Sequence, residues 1–235
     1  MMIGPQPLSL HHLLNQPLRR PPRGQKPPML LLLHGIGASE YDLFALAEYL
    51  DPRFLVISLQ APFQLRPDSF AWFEVQFTGQ GPVIRPEQAE ASRQELISFI
   101  QEAPQAYQAN PSRVYLMGFS QGAIMSLGLT LTRPELLAGV VAMSGRTLPE
   151  LFEDHGPLSG HLAPTEKLRG FPLLVVHGLW DRVLAIDYGR ATRDRFADLP
   201  VDLDYREFDM GHTISDESLE TIKTWLAAKL DSSPG

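Results

Sequence analysis

From Met29 onward, short apolar runs alternate with longer segments of helical period, and this alternation leaves few folds open to the chain. The expected strands are "MLLLLH" (29–34), "RFLVISL" (53–59), "RVYLMGF" (113–119), "LAGVVAMS" (137–144), "PLLVVHG" (172–178) and "DLDYREF" (202–208). Helical segments are expected between them. Residues 41–50 place Leu43, Leu46, Ala47 and Leu50 at helical spacing before Asp51-Pro52 ends the run. Residues 87–100 follow Pro86 and align Ala89, Leu96, Ile97 and Ile100, and further helices are expected at 121–131, 187–198 and 217–230. Strands alternating with helices predict an α/β architecture with a mostly parallel central sheet and helices on both faces.

At 235 residues and 44% apolar content, the chain can bury one substantial core. Seven of its 21 prolines fall in the first 28 residues, where "RRPPRGQKPP" (19–28) also carries four basic side chains. Residues 1–28 therefore read as an extended proline-rich segment, with room for an edge strand at 8–14, and residues 29–235 as a single α/β domain. A net charge of −7 argues against nucleic acid or an anionic membrane surface as partner. The longest purely apolar run, 29–33, is far below the roughly 20 residues that span a bilayer, so no stable membrane insertion is expected. The start of the chain lacks a charged-then-apolar signal pattern, which favours the cytoplasm. With no cysteine, a thiol nucleophile and thiolate metal sites are excluded.

"LMGFSQGAIM" sets Ser120 between Gly118 and Gly122 where one apolar run meets a helical one. G-x-S-x-G at a strand-to-helix junction is the nucleophile elbow, a sharp turn that holds a serine hydroxyl out of the backbone. Such a serine needs a base to take its proton and a carboxylate to orient that base. "HGLWDRVL" supplies Asp181 after one later strand, and "DMGHTIS" supplies His212 after the next. Of the seven histidines only His212 has the right order and position. Asp187 reads better as a helix N-cap, and Asp209 is too close to His212 in sequence to face its ring. "LLLHGIGASE" provides a glycine-bearing loop after the first core strand, so the backbone N–H groups of Ile36 and Gln121 are the expected oxyanion donors. Glu40 stands where a dinucleotide fingerprint needs its third glycine, which sets nucleotide binding aside.

"LLLHGIGAS", "LMGFSQGA", "HGLWDRV" and "MGHTI" together resemble, in order and spacing, the phospholipase/carboxylesterase family of α/β-hydrolases, which includes acyl-protein thioesterases. "AWFE" (71–74) resembles that family's aromatic segment after the second core strand. The resemblance implies Ser120 as nucleophile, His212 as base and Asp181 as orienting acid. It also implies hydrolysis of small carboxylic esters, lysophospholipids or S-acyl groups with no metal or organic cofactor, and often a homodimer. Ala123, Glu74 and Ala185 depart from the family pattern. Trp72 and Phe73 either line the acyl site or fill the core. The leading expectation is a serine esterase acting on short to medium acyl esters; a non-catalytic ligand-binding protein on the same fold is the alternative class.

Overall fold

The computed structural model describes residues 7–19, 21–79 and 81–232. Residues 1–6 and Arg20 of the proline-rich segment, and 233–235 at the end of the expected domain, lie outside the described residues. Strands β1 (His12–Asn15), β2 (Met29–Leu33) and β3 (Leu55–Leu59) are followed by two small hairpins, β4 (Phe63–Arg66) with β5 (Ser69–Ala71) and β6 (Val75–Thr78) with β7 (Gly81–Ile84). Helix α1 (Glu40–Phe44) joins β2 to β3. Then come α2 (Pro86–Ala106), β8 (Val114–Phe119), α3 (Gln121–Thr132), β9 (Gly139–Met143), β10 (Pro172–Gly178), α4 (Ile186–Ala197), β11 (Asp202–Phe208) and α5 (Asp216–Asp231).

The main sheet has the order β1-β3-β2-β8-β9-β10-β11, parallel throughout except for β1, which pairs antiparallel with β3. Every residue of β2, β3 and β9 is buried, which is why these strands read as unbroken apolar runs. Side chains alternate between the two faces. Leu31 and Leu33 join the core beneath α2, α3 and α4 with Leu96, Phe99, Leu127 and Phe196. Leu30 and Leu32 join the core beneath α1 and α5 with Leu43, Ile222, Trp225 and Leu226.

Three sequence expectations need correction. The single helix over 41–50 is instead a short α-helix and a 3₁₀ turn at Ala47–Tyr49, because Leu46 and Tyr49 donate to the carbonyls three residues back. Asp187 is not an N-cap: it lies in the first turn of α4, and Ala185 holds the cap position. The edge strand begins at His12, later than the 8–14 run suggested, with Leu10 already buried in the core. The buried His12 ring at its start bonds both the Leu10 carbonyl and the Tyr107 hydroxyl.

Candidate active site

Ser120 follows β8 at the N-cap of α3 in a conformation with φ 53° and ψ −113°, a strained region that non-glycine residues rarely occupy. Its neighbours explain how the strain persists. A Cβ on Gly118 would sit 2.3 Å from the Gly122 carbonyl oxygen, and one on Gly122 would sit 1.9 Å from the Leu33 carbonyl oxygen. Backbone fills both places, so only glycine fits, and the turn is clamped between β2 and the start of α3. The Ser120 N–H donates to the Met143 carbonyl at 2.8 Å, tying the elbow to β9.

The sheet order carries the other two side chains to the same end. Asp181 follows β10 and His212 follows β11, and these strands are hydrogen-bonded neighbours. His212 Nε2 lies 2.9 Å from Ser120 Oγ, and His212 Nδ1 lies 2.7 Å from Asp181 Oδ2. A carboxylate oxygen only accepts, so the imidazole proton sits on Nδ1 and Nε2 is left to accept from the serine hydroxyl. Asp181 Oδ1 accepts from the N–H groups of Val183 and Leu184, both at 2.8 Å, which fixes the carboxylate with its side chain fully buried. Asp209 accepts instead from the Trp180 indole and is engaged away from the histidine.

The glycine-bearing loop after β2 packs directly on the elbow, where a Cβ on Gly35 would meet Ser120 Cβ at 3.3 Å. Ile36 and Gln121 both border the pocket beside Ser120. Gln121 is the first residue of α3, a position whose N–H has no acceptor within the helix. Its side chain braces the aromatic segment instead, with Oε1 accepting from the Trp72 N–H at 2.7 Å and Nε2 donating to the Phe73 carbonyl at 2.6 Å. Phe73 lines the pocket. Trp72 does not: both rings are wholly buried, but the Trp72 indole N–H donates to the His34 carbonyl at 3.0 Å. Of the two aromatics, Phe73 thus sits at the site and Trp72 serves the core that supports it.

Sequence reasoning passed over two buried histidines that brace the site. His34 Nδ1–H donates to the Gly35 carbonyl at 2.7 Å while Nε2 accepts from the Ala61 N–H at 3.1 Å. His177 Nε2–H donates to the Leu184 carbonyl at 2.8 Å, helping to hold the loop that carries Asp181. Burial depresses both pKa values from the ordinary 6.5, partly opposed for His177 by the Asp181 carboxylate 3.6 Å away. A lowered histidine pKa means that the unfolded chain binds protons first. This stabilisation is complete above about pH 6.5 and is lost as pH falls towards each folded value, by up to about 1.4 kcal/mol per pH unit for each residue. Urea midpoints should therefore decline between pH 7 and 5, and less steeply in His177→Gln. A midpoint that stays flat over that range in the parent protein would contradict the neutral assignment.

Residues 19–230 match the model of the phospholipase/carboxylesterase family. The chain belongs to this family. It is 28% identical to acyl-protein thioesterase 1 of Kluyveromyces lactis, over 86% of this chain and 92% of that protein. With the Arabidopsis thaliana protein named probable carboxylesterase SOBER1-like it shares 28% identity over 53% of this chain and 45% of that one, so this match spans less than half the length of the plant relative. The carboxylesterase of Bacillus cereus superposes with a TM-score of 0.76 at 22% identity, covering 94% of both chains, a likeness of fold. As a family member the chain is an α/β-hydrolase and a carboxylesterase- or thioesterase-type enzyme. No helix among the described residues is long and apolar enough to cross a membrane.

Proposed function

We propose that this enzyme hydrolyses carboxylic esters or thioesters of short to medium acyl groups through Ser120, His212 and Asp181. The observation that carries the reading is the unbroken contact from Asp181 Oδ2 through the His212 ring to the hydroxyl of a strained elbow serine, at 2.7 and 2.9 Å. Ser120 Oγ attacks the acyl carbonyl carbon while His212 Nε2 takes its proton. The carbonyl oxygen becomes an oxyanion held by the N–H groups of Ile36 and Gln121. As the intermediate collapses, the bond to the alcohol or thiol breaks and His212 returns the proton to the leaving group. Water then attacks the acyl-enzyme with His212 again as base, releasing the carboxylic acid and restoring Ser120. Asp181 holds the ring tautomer and stabilises the imidazolium formed in both halves.

The apolar walls beside Ser120, from Phe73, Val75, Ile84 and Ile124, suit an acyl chain of limited length. A p-nitrophenyl ester series from acetate to palmitate should give an optimum among the short and medium chains. A strong preference for emulsified triglyceride over these soluble esters would overturn the substrate assignment. Asp181→Asn should keep the fold and lower kcat by roughly 10³- to 10⁴-fold through loss of the correct tautomer and of imidazolium stabilisation. A loss under tenfold, measured on the best ester of that series, would remove Asp181 from the mechanism.

A further inference from the structure

Apart from Ser120 and Gln121, the pocket beside the nucleophile is lined by apolar residues and one cation. Arg146, in the loop after β9, lines it and is only 6% exposed. Buried arginines almost always face a carboxylate. Among the described residues no carboxylate lies within ion-pair distance of Arg146. Its side-chain hydrogen bond among the described residues is a long contact from Nη1 to the Thr147 carbonyl at 3.4 Å, and its guanidinium carbon stands 5.8 Å from the centre of the Tyr188 ring. Among the described residues the rest of the donor fork has no protein acceptor, and none of its nitrogens is sealed from the pocket space.

The loop is built to hold this residue there. Ser144 adopts φ 49°, a left-handed conformation uncommon for serine, and turns the chain as it leaves β9. A Cβ on the following Gly145 would lie 2.6 Å from Ala123 Cβ on α3. Arg146 is thus delivered to the pocket by a tight turn packed on the helix that begins at the nucleophile.

We infer that Arg146 is a specificity-determining residue that selects acyl esters bearing an anionic group, a carboxylate or phosphate, on the part of the substrate that enters this pocket. The inference rests on the proposed hydrolysis at Ser120. A guanidinium offers parallel N–H donors that match a carboxylate or phosphate in pairs, and an apolar surround strengthens that contact. A neutral acyl chain would leave the cation buried and unpaired, so the same side chain attracts one substrate class and discriminates against the other.

Two matched pairs of esters test this and tell the two positions of the charge apart. Mono-p-nitrophenyl glutarate against p-nitrophenyl valerate puts the carboxylate on the acyl side. The butyrate ester of 4-hydroxybenzoate against that of 4-hydroxybenzamide puts it on the leaving group. The parent should favour the anionic member of at least one pair by about tenfold or more in kcat/KM. Arg146→Gln should reduce that ratio at least tenfold, and Arg146→Lys should retain part of it. A purely structural arginine stacked on Tyr188 would leave the ratio unmoved. Should Arg146→Gln fail to fold, the parent alone decides. Glutarate or inorganic phosphate should then inhibit neutral-ester hydrolysis competitively and less strongly as sodium chloride is raised, and absence of inhibition would overturn the inference. Ser120-dependent hydrolysis with no charge preference in either pair would overturn this inference alone, whereas no hydrolysis of any of the four esters would overturn the serine-hydrolase reading with it.

Discussion

Ser120→Ala is expected to lower ester turnover by roughly 10⁴- to 10⁶-fold while leaving the native fold in place. Only the hydroxyl is removed, and its side-chain hydrogen bond among the described residues is the 2.9 Å bond to His212 Nε2. No packed surface changes, because the elbow is held by backbone: the Ser120 N–H on the Met143 carbonyl, and the glycine clamp at 118 and 122. The φ of 53° is as unfavourable for alanine as for serine, so the variant inherits the strain. Ser120→Gly should remove it and raise stability by about 1 kcal/mol or more, with turnover equally lost. That opposition, inactive but more stable, is the signature of a residue kept for chemistry at the expense of the fold. It is read by comparing ester hydrolysis with urea midpoints for the two variants, and a Ser120→Ala protein with near-parental turnover would remove the serine from the mechanism.

Gly122→Ala is expected to be the most disruptive single methyl in the molecule. The added carbon would stand 1.9 Å from the Leu33 carbonyl oxygen, 2.5 Å from its carbonyl carbon and 2.8 Å from its Cβ. Neither side can yield cheaply. Leu33 is the last residue of the buried strand β2, in register with Leu59 on one side and Gly118 on the other, and α3 is buried along its whole length. Relief requires α3 to move off the sheet, opening the core and displacing Ser120 together. We expect a loss of about 4 kcal/mol or more, seen as a collapse in soluble yield or in the urea midpoint. Gly128→Ala, six residues further along the same helix, is the control. Its Cβ would meet only Leu151 Cδ1 at an ordinary 3.9 Å, so the better helix former should be neutral or stabilising by up to about 1 kcal/mol. Equal stability of the two variants would contradict the elbow geometry.

The inner parallel strands were legible because burial on both faces forces continuous apolar runs, whereas the edge strand β11, only partly buried, was legible from its alternation; each of the six segments contains a strand of the sheet. The relation of Ser120, Asp181 and His212 was legible for a related reason: in a parallel sheet every strand delivers its C-terminal loop to the same edge, so chain order and strand ends translate into proximity. The two hairpins over 63–84 were not. Their strands are three or four residues long, too short for the alternation in FQLR and VQFT to stand out, and β7 includes Pro82, which discounts a strand reading. Asp68, with φ 55° at the tip of the first, was the available signal, inside "RPDS". Trp72 and Phe73 are adjacent and chemically alike, and sequence could not separate them. Both lie in the bend after β5 and both are wholly buried, and only the tertiary structure shows that Phe73 alone borders the pocket. Arg146 in "SGRTL" reads as one more loop arginine, and only the fold reveals that it is buried without an acid. The supporting roles of His34 and His177 are equally hidden, since each depends on a carbonyl brought close by tertiary structure or by a turn.

The central claim is that Ser120 alone is made nucleophilic by its contact with His212. Treating the protein with a fluorophosphonate and mapping the adduct by peptide mass spectrometry tests this most directly. One adduct per chain is expected, on the peptide holding Ser120, with labelling slowed strongly in His212→Ala. An adduct on another residue, or a folded protein with no adduct at all, would contradict it.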